Sequence, residues 1–299
     1  MSLLNEAHLK AWQQRLVTKQ LVTTQPGTVA VLNPGNIPLV ELQDYLAVVL
    51  SGHRYVGSTS SKSPYLFPAF LSEIRRVGGD PRATLVSQKD ALQSGDRMIA
   101  SGSDEVVRSI RDAVALRGLS SDICWFRGHR FSVAVMDGRE DEDELVKLAE
   151  DCLMHEGMGC RSVSIVFAPR RMSIDGVLEA FGVHRAMFPA HVSTIGAIKL
   201  QQALLAAFKT PHAYPEDFQF LISRGEPEEQ GLGHIRWVPY DIVQEAVDWI
   251  ADHEGHIQGV FAGERLLKDQ VDWEATGMAQ RPPLQWRPDG RSHESFLRF

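Results

Sequence analysis

The chain has 299 residues, of which 43% are hydrophobic and 23% are charged. This is the composition of a globular protein, and the length allows two modest domains with sizeable cores. The net charge of −7 comes without a long basic run and disfavours a nucleic-acid partner. No stretch approaches about 18 apolar residues, and the N-terminus lacks a basic region followed by an apolar block. We therefore expect no membrane span, no signal peptide and a cytoplasmic location.

The chain has three cysteines, Cys124, Cys152 and Cys160. An odd and sparse set in a chain of this size argues against a disulfide framework and for reduced thiols. Cys152, His155 and Cys160 are close in sequence, but no second pair of Cys or His residues completes the four ligands of a structural zinc site. We therefore expect no metal.

Short runs rich in β-branched residues alternate with helical patterns in the first part of the chain. The predicted strands are 29–32, 55–56, 84–86, 98–100 and 132–135. The predicted helices between them are 39–50, 65–76 and 104–116. This alternation, with short connections, indicates βαβ units around a parallel sheet.

A second α/β unit follows the turn at Asp137. Acidic residues at 140–144 suit the first turn of a helix that runs to about His155, because negative charge is favourable at a helix N-terminus. The later predicted elements are a strand at 163–168, helices at 173–181, 192–208 and 241–252, and strands at 218–222, 234–238 and 257–261. The tail from Gln280 is rich in Pro, Arg and Gly, and we predict it to be irregular.

Cys160 follows two glycines, Gly157 and Gly159, and precedes the apolar strand at 163–168. Most unpaired cysteines behave as small buried hydrophobes. The flanking glycines instead allow a backbone that leaves the sulfur accessible to a ligand. We predict that Cys160 is a nucleophile and that Arg161, the next residue, helps to hold its thiolate.

Asn36 ends the turn that follows the strand at 29–32. Two roles compete for its side chain. It can cap the helix at 39–50, or its amide can donate to an oxygen that becomes negative when a carbonyl is attacked. The sequence leaves both roles open.

Two further turns follow predicted strands. Gly102 and Ser103 open a helix, where exposed backbone N–H groups can hold a phosphate. Ser60, Ser61 and Lys62 form a hydroxyl-rich turn, which is either a solvated loop or a site for ribose hydroxyls or a 2′-phosphate, with the lysine as a point charge. The sequence lacks the complete glycine fingerprint of dinucleotide-binding proteins.

Taken in order, these segments resemble the aldehyde dehydrogenase superfamily, and most closely its acyl-CoA reductase branch, the family that supplies fatty aldehyde to bacterial luciferase. The segments that carry the resemblance are 33–39, 50–53, 60–62, 102–103, 132–135 and 157–161. The resemblance implies an α/β fold with two Rossmann-like lobes and largely parallel sheets, shortened at its N-terminus. The implied organisation is a cofactor-binding lobe at 1–136, a catalytic lobe carrying the cysteine at 137–265, and a tail at 266–299 that returns to the cofactor lobe.

The resemblance also assigns roles to single residues. Cys160 is the expected catalytic nucleophile, and Asn36 is the expected oxyanion amide. The expected cofactor-binding residues are Gly102, Ser103, Ser60, Ser61 and Lys62. The expected cofactor is NADPH, with NADH as the alternative.

One position departs from the hydrolytic aldehyde dehydrogenases that the chain resembles. Phe126 stands where those enzymes carry the glutamate that activates water. Without that base, a thioacyl-enzyme survives long enough to receive a hydride. We therefore expect reduction of a fatty acyl-CoA thioester to the aldehyde rather than oxidation of an aldehyde.

Two alternatives stay open. An acyl phosphate reductase of the same superfamily would use the same cysteine chemistry. A non-catalytic subunit that binds an acyl group or a partner would keep the pocket without binding a cofactor. The expected partners are the acyl-CoA substrate, an acyl-transfer or aldehyde-consuming protein, and further copies of the chain in a homo-oligomer.

Overall fold

The structure is a computed structural model that describes residues 5–17, 26–268, 270 and 272–298. The chain divides into two compact units. Unit 1 comprises Met1–His129 and Pro283–Phe299, and unit 2 comprises Arg130–Pro282. Each unit has its own sheet and its own hydrophobic cores.

The sheet of unit 1 is parallel throughout, in the order β3-β2-β1-β4-β5. Its described strands are β1 (Thr28–Leu32), β2 (Arg54–Ser58), β3 (Ala83–Leu85), β4 (Arg97–Ser101) and β5 (Cys124–Arg127). Its described helices are α1 (Glu6–Leu16), α2 (Leu42–Leu50), α3 (Leu66–Arg76), α4 (Gln88–Ala91), α5 (Asp104–Leu116) and, from the end of the chain, α11 (His293–Phe296).

The central strand β1 is buried on both faces. Val29 and Val31 pack in the core formed with α1, α2, α3 and α11, whereas Ala30 and Leu32 pack in the core formed with α4 and α5. A strand that is apolar at every position suits such a two-sided environment, because successive side chains point to opposite faces. The helices that follow β1 and β4 therefore cover opposite faces. That arrangement makes the β1/β4 boundary the topological switch point, where open α/β sheets bind ligands.

The sheet of unit 2 has the order β12-β11-β6-β7-β10-β9-β8 and is parallel except for the β8/β9 pair. Its described strands are β6 (Phe131–Val135), β7 (Val163–Pro169), β8 (His212–Ala213), β9 (Leu221–Arg224), β10 (His234–Tyr240), β11 (Ile257–Ala262) and β12 (Glu274–Ala275). Its described helices are α6 (Glu142–Leu153), α7 (Asp175–Met187), α8 (Val192–Ala207), α9 (Val243–Asp252) and α10 (Glu264–Leu267).

The helix α6 begins as its sequence predicts. Asp141 and Glu144 form a capping box, in which each side chain accepts a hydrogen bond from the backbone N–H of the other residue. Leu145, Leu148 and Cys152 then share the buried face of the helix. The acidic start predicted for this helix is confirmed.

The predicted alternation of strands and helices is confirmed across both units. The sequence did not predict seven of the described elements: α1, α4, β5, β8, α10, β12 and α11. The irregular tail predicted from Gln280 is therefore wrong over α11, where Ser292 caps the helix and Phe296 is fully buried. No helix within the described ranges has the length and apolar character that a membrane crossing needs.

The unit boundaries differ from the predicted ones. A boundary at residue 136 would assign β6 to the first lobe, but β6 pairs with β7 and β11 in the sheet of unit 2. A tail starting at residue 266 would exclude β12 from the second lobe, but β12 pairs with β11. Strand pairing therefore places residues 130–282 together, and the chain rejoins unit 1 at Pro283.

Polar side chains of unit 1 hold the C-terminal segment. The imidazole of His53 accepts from the backbone N–H of Gly27 at 3.1 Å and donates to the carbonyl of Leu297 at 3.1 Å. Burial lowers the pKa of His53 and so favours the neutral ring, in which one nitrogen accepts a hydrogen bond and the other donates one. Arg97 donates to the carbonyl oxygens of Phe296 and Arg298. The segment is thus part of the unit 1 core.

The substitution Phe296→Ala should lower the free energy of unfolding by about 3–5 kcal/mol, because it leaves a cavity in that core. Urea denaturation monitored by circular dichroism measures the change. The matched control is Tyr65→Ala, at a side chain that is 82% exposed, where a change within about 0.5 kcal/mol is expected. Similar values for the two variants would contradict the packing described for α11.

Candidate active site

The turns with the predicted cofactor-binding residues and the turn with the predicted oxyanion donor lie at one edge of the unit 1 sheet. The Asn36 turn follows β1, the Ser60 turn follows β2, and Gly102 follows β4. Since β1 pairs in parallel with both β2 and β4, the carboxyl ends of all three strands meet at this edge. The edge includes the switch point, where ligands bind in folds of this kind.

The structure excludes one of the two roles considered for Asn36. The helix α2 begins at Leu42, and Glu41 is its N-cap residue, so Asn36 does not cap it. Asn36 instead lies half-buried in the connection between β1 and α2. Its role as an oxyanion donor stays a prediction.

The turns at Asn36 and Ser60 are in close contact. A Cβ atom added to Gly35 would lie 2.2 Å from Ser60 Oγ and 3.1 Å from the Cβ atom of Lys62. Only a glycine permits this approach. Ser60 is half-buried, whereas Ser61 and Lys62 are exposed. The structure therefore brings together these two turns, as a shared ligand site requires.

The third turn is less suited to a phosphate than its sequence suggests. Ser103 is the N-cap of α5, and its hydroxyl accepts from the backbone N–H of Val106 at 3.4 Å. Asp104 and Glu105 occupy the first helical turn, and the Asp104 carboxylate accepts from the backbone N–H of His129 at 2.8 Å. Two carboxylates already complement the positive end of the helix dipole, so they oppose a bound anion.

Sequence reasoning missed a buried ionic cluster in unit 1. Arg127 donates to both carboxylate oxygens of Asp44, at 2.8 and 3.0 Å, and His293 contacts the same carboxylate at 2.7 Å. Burial alone would raise the pKa of Asp44, but the Arg127 charge holds it well below its ordinary value. The guanidinium also lies 3.8 Å from the ring centroid of Trp125. The available signal was a pair of acids, Glu41 and Asp44, within an otherwise apolar helical pattern.

Cys160 lies at the amino end of β7 in unit 2, and it is exposed. It sits in a turn closed by a hydrogen bond from the Ser162 N–H to the Gly159 carbonyl at 2.8 Å. The hydroxyl of Ser132 donates to the Cys160 carbonyl at 3.0 Å, which fixes the backbone and leaves the thiol outside.

The other two cysteines are unsuited to nucleophilic chemistry. Cys124 and Cys152 are 5% and 1% exposed. Burial raises the pKa of both thiols, so each is a poor source of thiolate. Cys160 alone among the three cysteines is accessible to a substrate.

The connection from α6 to Cys160 is strained. His155, Glu156 and Gly157 all have positive φ, at 51°, 62° and 74°. For the two residues that carry a Cβ, this left-handed conformation costs about 1–2 kcal/mol each. The carboxylate of Glu156 accepts from Arg185 at 3.2 Å, and its carbonyl accepts from the Gly233 N–H at 3.2 Å. Side-chain and backbone contacts thus hold this unfavourable conformation, as is common at functional sites.

The contacts of Arg161 differ from the predicted ones. We expected its guanidinium to hold the thiolate of the preceding residue, but the side chain is only 5% exposed. It forms two hydrogen bonds with the Glu274 carboxylate, at 2.8 and 2.9 Å. It also donates to the carbonyl oxygens of Met278 and Ala279, at 2.9 and 2.8 Å. All three guanidinium nitrogens are thus engaged by the segment 274–280.

A second buried group contacts the same segment from α6. The Asp151 carboxylate accepts from the backbone N–H groups of Gly277 and Ala279, at 2.6 and 3.0 Å. Burial raises the pKa of Asp151 to about 7, although both N–H groups act to lower it. The amide of Gln280 donates to the Asp151 carbonyl and to the Ser162 hydroxyl, at 3.2 and 3.1 Å. The segment is therefore tied to α6 and to the turn that holds Cys160.

Phe126, at the position predicted to lack the water-activating base, lies half-buried in β5. The Arg111 guanidinium lies 5.0 Å from its ring centroid. The ring packs on the core that α5 shares with the sheet. Its side chain offers neither an acid nor a base.

A chain of hydrogen bonds in unit 2 resembles a catalytic triad. Ser223 Oγ and His234 Nε2 are 2.7 Å apart, and His234 Nδ1 contacts Gln201 at 2.6 Å. Ser223 is fully buried, however, and burial lowers the pKa of His234 to about 3. Ser223 is therefore inaccessible to a substrate, and these hydrogen bonds are part of the core.

The two α/β units with largely parallel sheets match the aldehyde-dehydrogenase fold, and solved structures of that fold are similar to this chain. The methylmalonate-semialdehyde dehydrogenase DddC from Oceanimonas doudoroffii is 17% identical, with a TM-score of 0.67 over 87% of this chain and 63% of its own. The Mycobacterium tuberculosis aldehyde dehydrogenase complexed with NAD+ is 16% identical, with a TM-score of 0.66 over 90% of this chain and 67% of its own. The Pseudomonas aeruginosa aldehyde dehydrogenase KauB is 13% identical, with a TM-score of 0.68 over 90% of this chain and 64% of its own. The chain spans about two thirds of the length of these structures.

The family model of acyl-CoA reductase (LuxC) matches residues 5–181, which is more than half of the chain. The chain belongs to this acyl-CoA reductase family. The predicted family and fold are thereby confirmed. No curated protein sequence gives a significant match. The roles of single residues and of the two units, the partner proteins, the homo-oligomer and the cytoplasmic location stay predictions.

The contact between the Gly35 and Ser60 turns can be tested by a double-mutant cycle. Gly35→Ala should lower the free energy of unfolding by about 1–3 kcal/mol, because the new methyl group overlaps the serine side chain. Adding Ser60→Gly removes both overlapping serine atoms and should restore most of the loss. Thermal or urea denaturation of the four proteins gives the coupling energy. A strictly additive result would show that the turns do not touch.

Proposed function

We propose that the protein reduces an acyl-CoA thioester to the aldehyde, with Cys160 as the nucleophile and a nicotinamide cofactor as the hydride source. Membership of the acyl-CoA reductase family supports the substrate class. The observation that carries the proposal is the exposure of Cys160 on a hydrogen-bonded turn, while both other cysteines are buried. A fatty acyl chain is the proposed acyl group.

The first half-reaction transfers the acyl group to the enzyme. The Cys160 thiolate attacks the thioester carbonyl, a bond forms between Sγ and the carbonyl carbon, and the bond to the CoA sulfur breaks. The CoA thiolate leaves and takes a proton from solvent. Asn36 is proposed to donate its amide N–H to the oxygen that becomes negative during this attack. Loss of one such donor typically slows acyl transfer by about 10²–10³-fold.

The second half-reaction releases the aldehyde. When bound, NADPH supplies the hydride that reduces the thioacyl carbon. The resulting hemithioacetal oxyanion then collapses, the bond to Sγ breaks, and Cys160 regains its thiolate. Phe126 provides no base to activate water, which disfavours hydrolysis of the thioacyl-enzyme. Reduction is therefore the favoured fate of the acyl group.

The residues at the carboxyl edge of the unit 1 sheet fit a nicotinamide nucleotide. Ser60 and Ser61 offer hydroxyl groups, and the exposed Lys62 offers a positive charge suited to a 2′-phosphate. This charge favours NADPH, with NADH as the alternative. The Mycobacterium tuberculosis structure complexed with NAD+ supports a nicotinamide cofactor for the fold.

Intact-protein mass spectrometry after incubation with a long-chain acyl-CoA, without nicotinamide, tests the first half-reaction. The wild type should gain the mass of one acyl group, located on the Cys160 peptide. Cys160→Ala should gain none, and Asn36→Ala should acylate about 10²–10³-fold more slowly. The matched control is Cys124→Ala, which should acylate normally because Cys124 is buried. An adduct of equal yield on Cys160→Ala would refute the proposal.

A specific observation favours a second candidate, a non-catalytic acyl-binding subunit. Asp104 and Glu105 place two carboxylates at the helix N-terminus that was expected to hold the cofactor phosphates. This candidate binds acyl groups without binding a nicotinamide nucleotide.

Titration with NADPH, followed by nucleotide fluorescence, separates the two candidates. The reductase should bind NADPH saturably, and Lys62→Ala should weaken NADPH binding more than NADH binding, because only NADPH carries the 2′-phosphate. Lys89→Ala, at an exposed lysine of α4, serves as the matched control. Absence of saturable binding to either nucleotide would favour the non-catalytic subunit.

A further inference from the structure

We propose that Arg161 is a positioning residue for Cys160: by clamping the segment 274–280 it fixes the peptide that carries the nucleophile. The inference rests on the proposed function, because it concerns the thiol that accepts the acyl group. The family assignment does not contain it, and it differs from the thiolate-holding role expected from the sequence.

The guanidinium of Arg161 is bound by one short segment. Four hydrogen bonds run from Arg161 to one short segment, two of them to Glu274 and two to backbone carbonyls. The side chain also lies beside the ring of Phe261, 5.1 Å from its centroid. A buried guanidinium is tolerated only when its donors are satisfied in good geometry. Because each of its nitrogens has a fixed acceptor, Arg161 has little freedom to move relative to the segment.

Other side chains hold the same peptide from its other sides. Ser132 donates to the Cys160 carbonyl at 3.0 Å, and Gln280 donates to the Ser162 hydroxyl at 3.1 Å. Asp151 in turn holds the segment through two of its backbone N–H groups. Cys160 therefore lies between a strand contact and a clamp that starts at the very next residue.

Cys160 combines a fixed backbone with an exposed thiol. An exposed side chain on a turn usually varies in position, whereas attack on a carbonyl needs the sulfur within about 3–3.5 Å and in the right direction. The clamp supplies that direction without covering the sulfur. Lysine cannot replace the arginine here, because an ammonium group does not reproduce the planar bidentate contact with Glu274.

The test compares two reactions of the same thiol in Arg161→Lys and in wild type. Acylation by a long-chain acyl-CoA, followed by intact mass over time, needs correct positioning. Alkylation by iodoacetamide needs an accessible sulfur and places weaker demands on direction. We expect acylation to slow by about tenfold or more in the variant, with alkylation within about twofold of wild type. A purely structural role would not separate the two rates.

The number of alkylated cysteines reports folding in the same experiment. A folded variant takes up one alkyl group, because Cys124 and Cys152 are buried, whereas an unfolded one takes up three. If Arg161→Lys takes up three, Gln280→Ala decides the question, because it loosens the segment from the opposite side. Slower acylation with a single alkylated cysteine then supports the clamp, and wild-type acylation overturns it.

Arg170→Lys is the matched control. It breaks a bidentate pair with Asp241 at the opposite end of β7 and should leave both rates unchanged. An acylation rate in Arg161→Lys equal to that of wild type overturns the inference. Absence of any adduct in wild type instead refutes the proposed function, so the two failures are distinguishable.

Discussion

Burial of both faces of a parallel sheet is the constraint on which the rest of this structure depends. In unit 1, the residues of β1 alternate between two hydrophobic cores, and the strands of unit 2 do the same. Apolar side chains cover both faces of the central strands, and the candidate reactive groups are at the ends of strands. The Asn36, Ser60 and Gly102 turns are at carboxyl ends in one sheet, and Cys160 is at an amino end in the other.

That constraint explains why so much of the fold was predictable. A strand buried on both faces must be apolar at successive positions, and the runs at 29–32 and 163–168 have this pattern. The acidic start of α6 was equally clear, because Asp141 and Glu144 satisfy backbone groups within the same four residues. Local signals sufficed wherever the stabilising partner was near in sequence.

Two of the elements that were missed, β5 and α11, depend on distant partners. β5 ends in Arg127, a poor strand residue by pattern, yet its charge is matched by Asp44, 83 positions away. α11 has only four residues, and its stability comes from the burial of Phe296 in a core built by the first part of the chain. The boundary at Arg130 depends on which neighbours β6 pairs with, and a strand pattern alone does not contain that information.

The candidate site likewise has features that follow from local sequence and features that depend on distant residues. Glycines 157 and 159 beside Cys160 correctly indicated an accessible sulfur, because backbone freedom is a local property. The contacts of the Arg161 side chain were not predictable, since the groups that accept its hydrogen bonds lie more than a hundred residues later in the sequence. Asp151 was not identified for the same reason. In the sequence it is one of several acids in an acidic helix, and only the fold shows that it is buried.

The sequence order of the two units has a consequence for how the protein is made. Unit 2 is a continuous stretch inserted between the two segments that form unit 1. During synthesis, the ribosome releases residues 130–282 before the α11 residues that complete the unit 1 core. Until the α11 residues have been synthesised, the apolar side chains of unit 1 that pack against Phe296 remain exposed. Chaperone capture during translation is accordingly expected at residues 26–129, because the core that they form is completed only by α11.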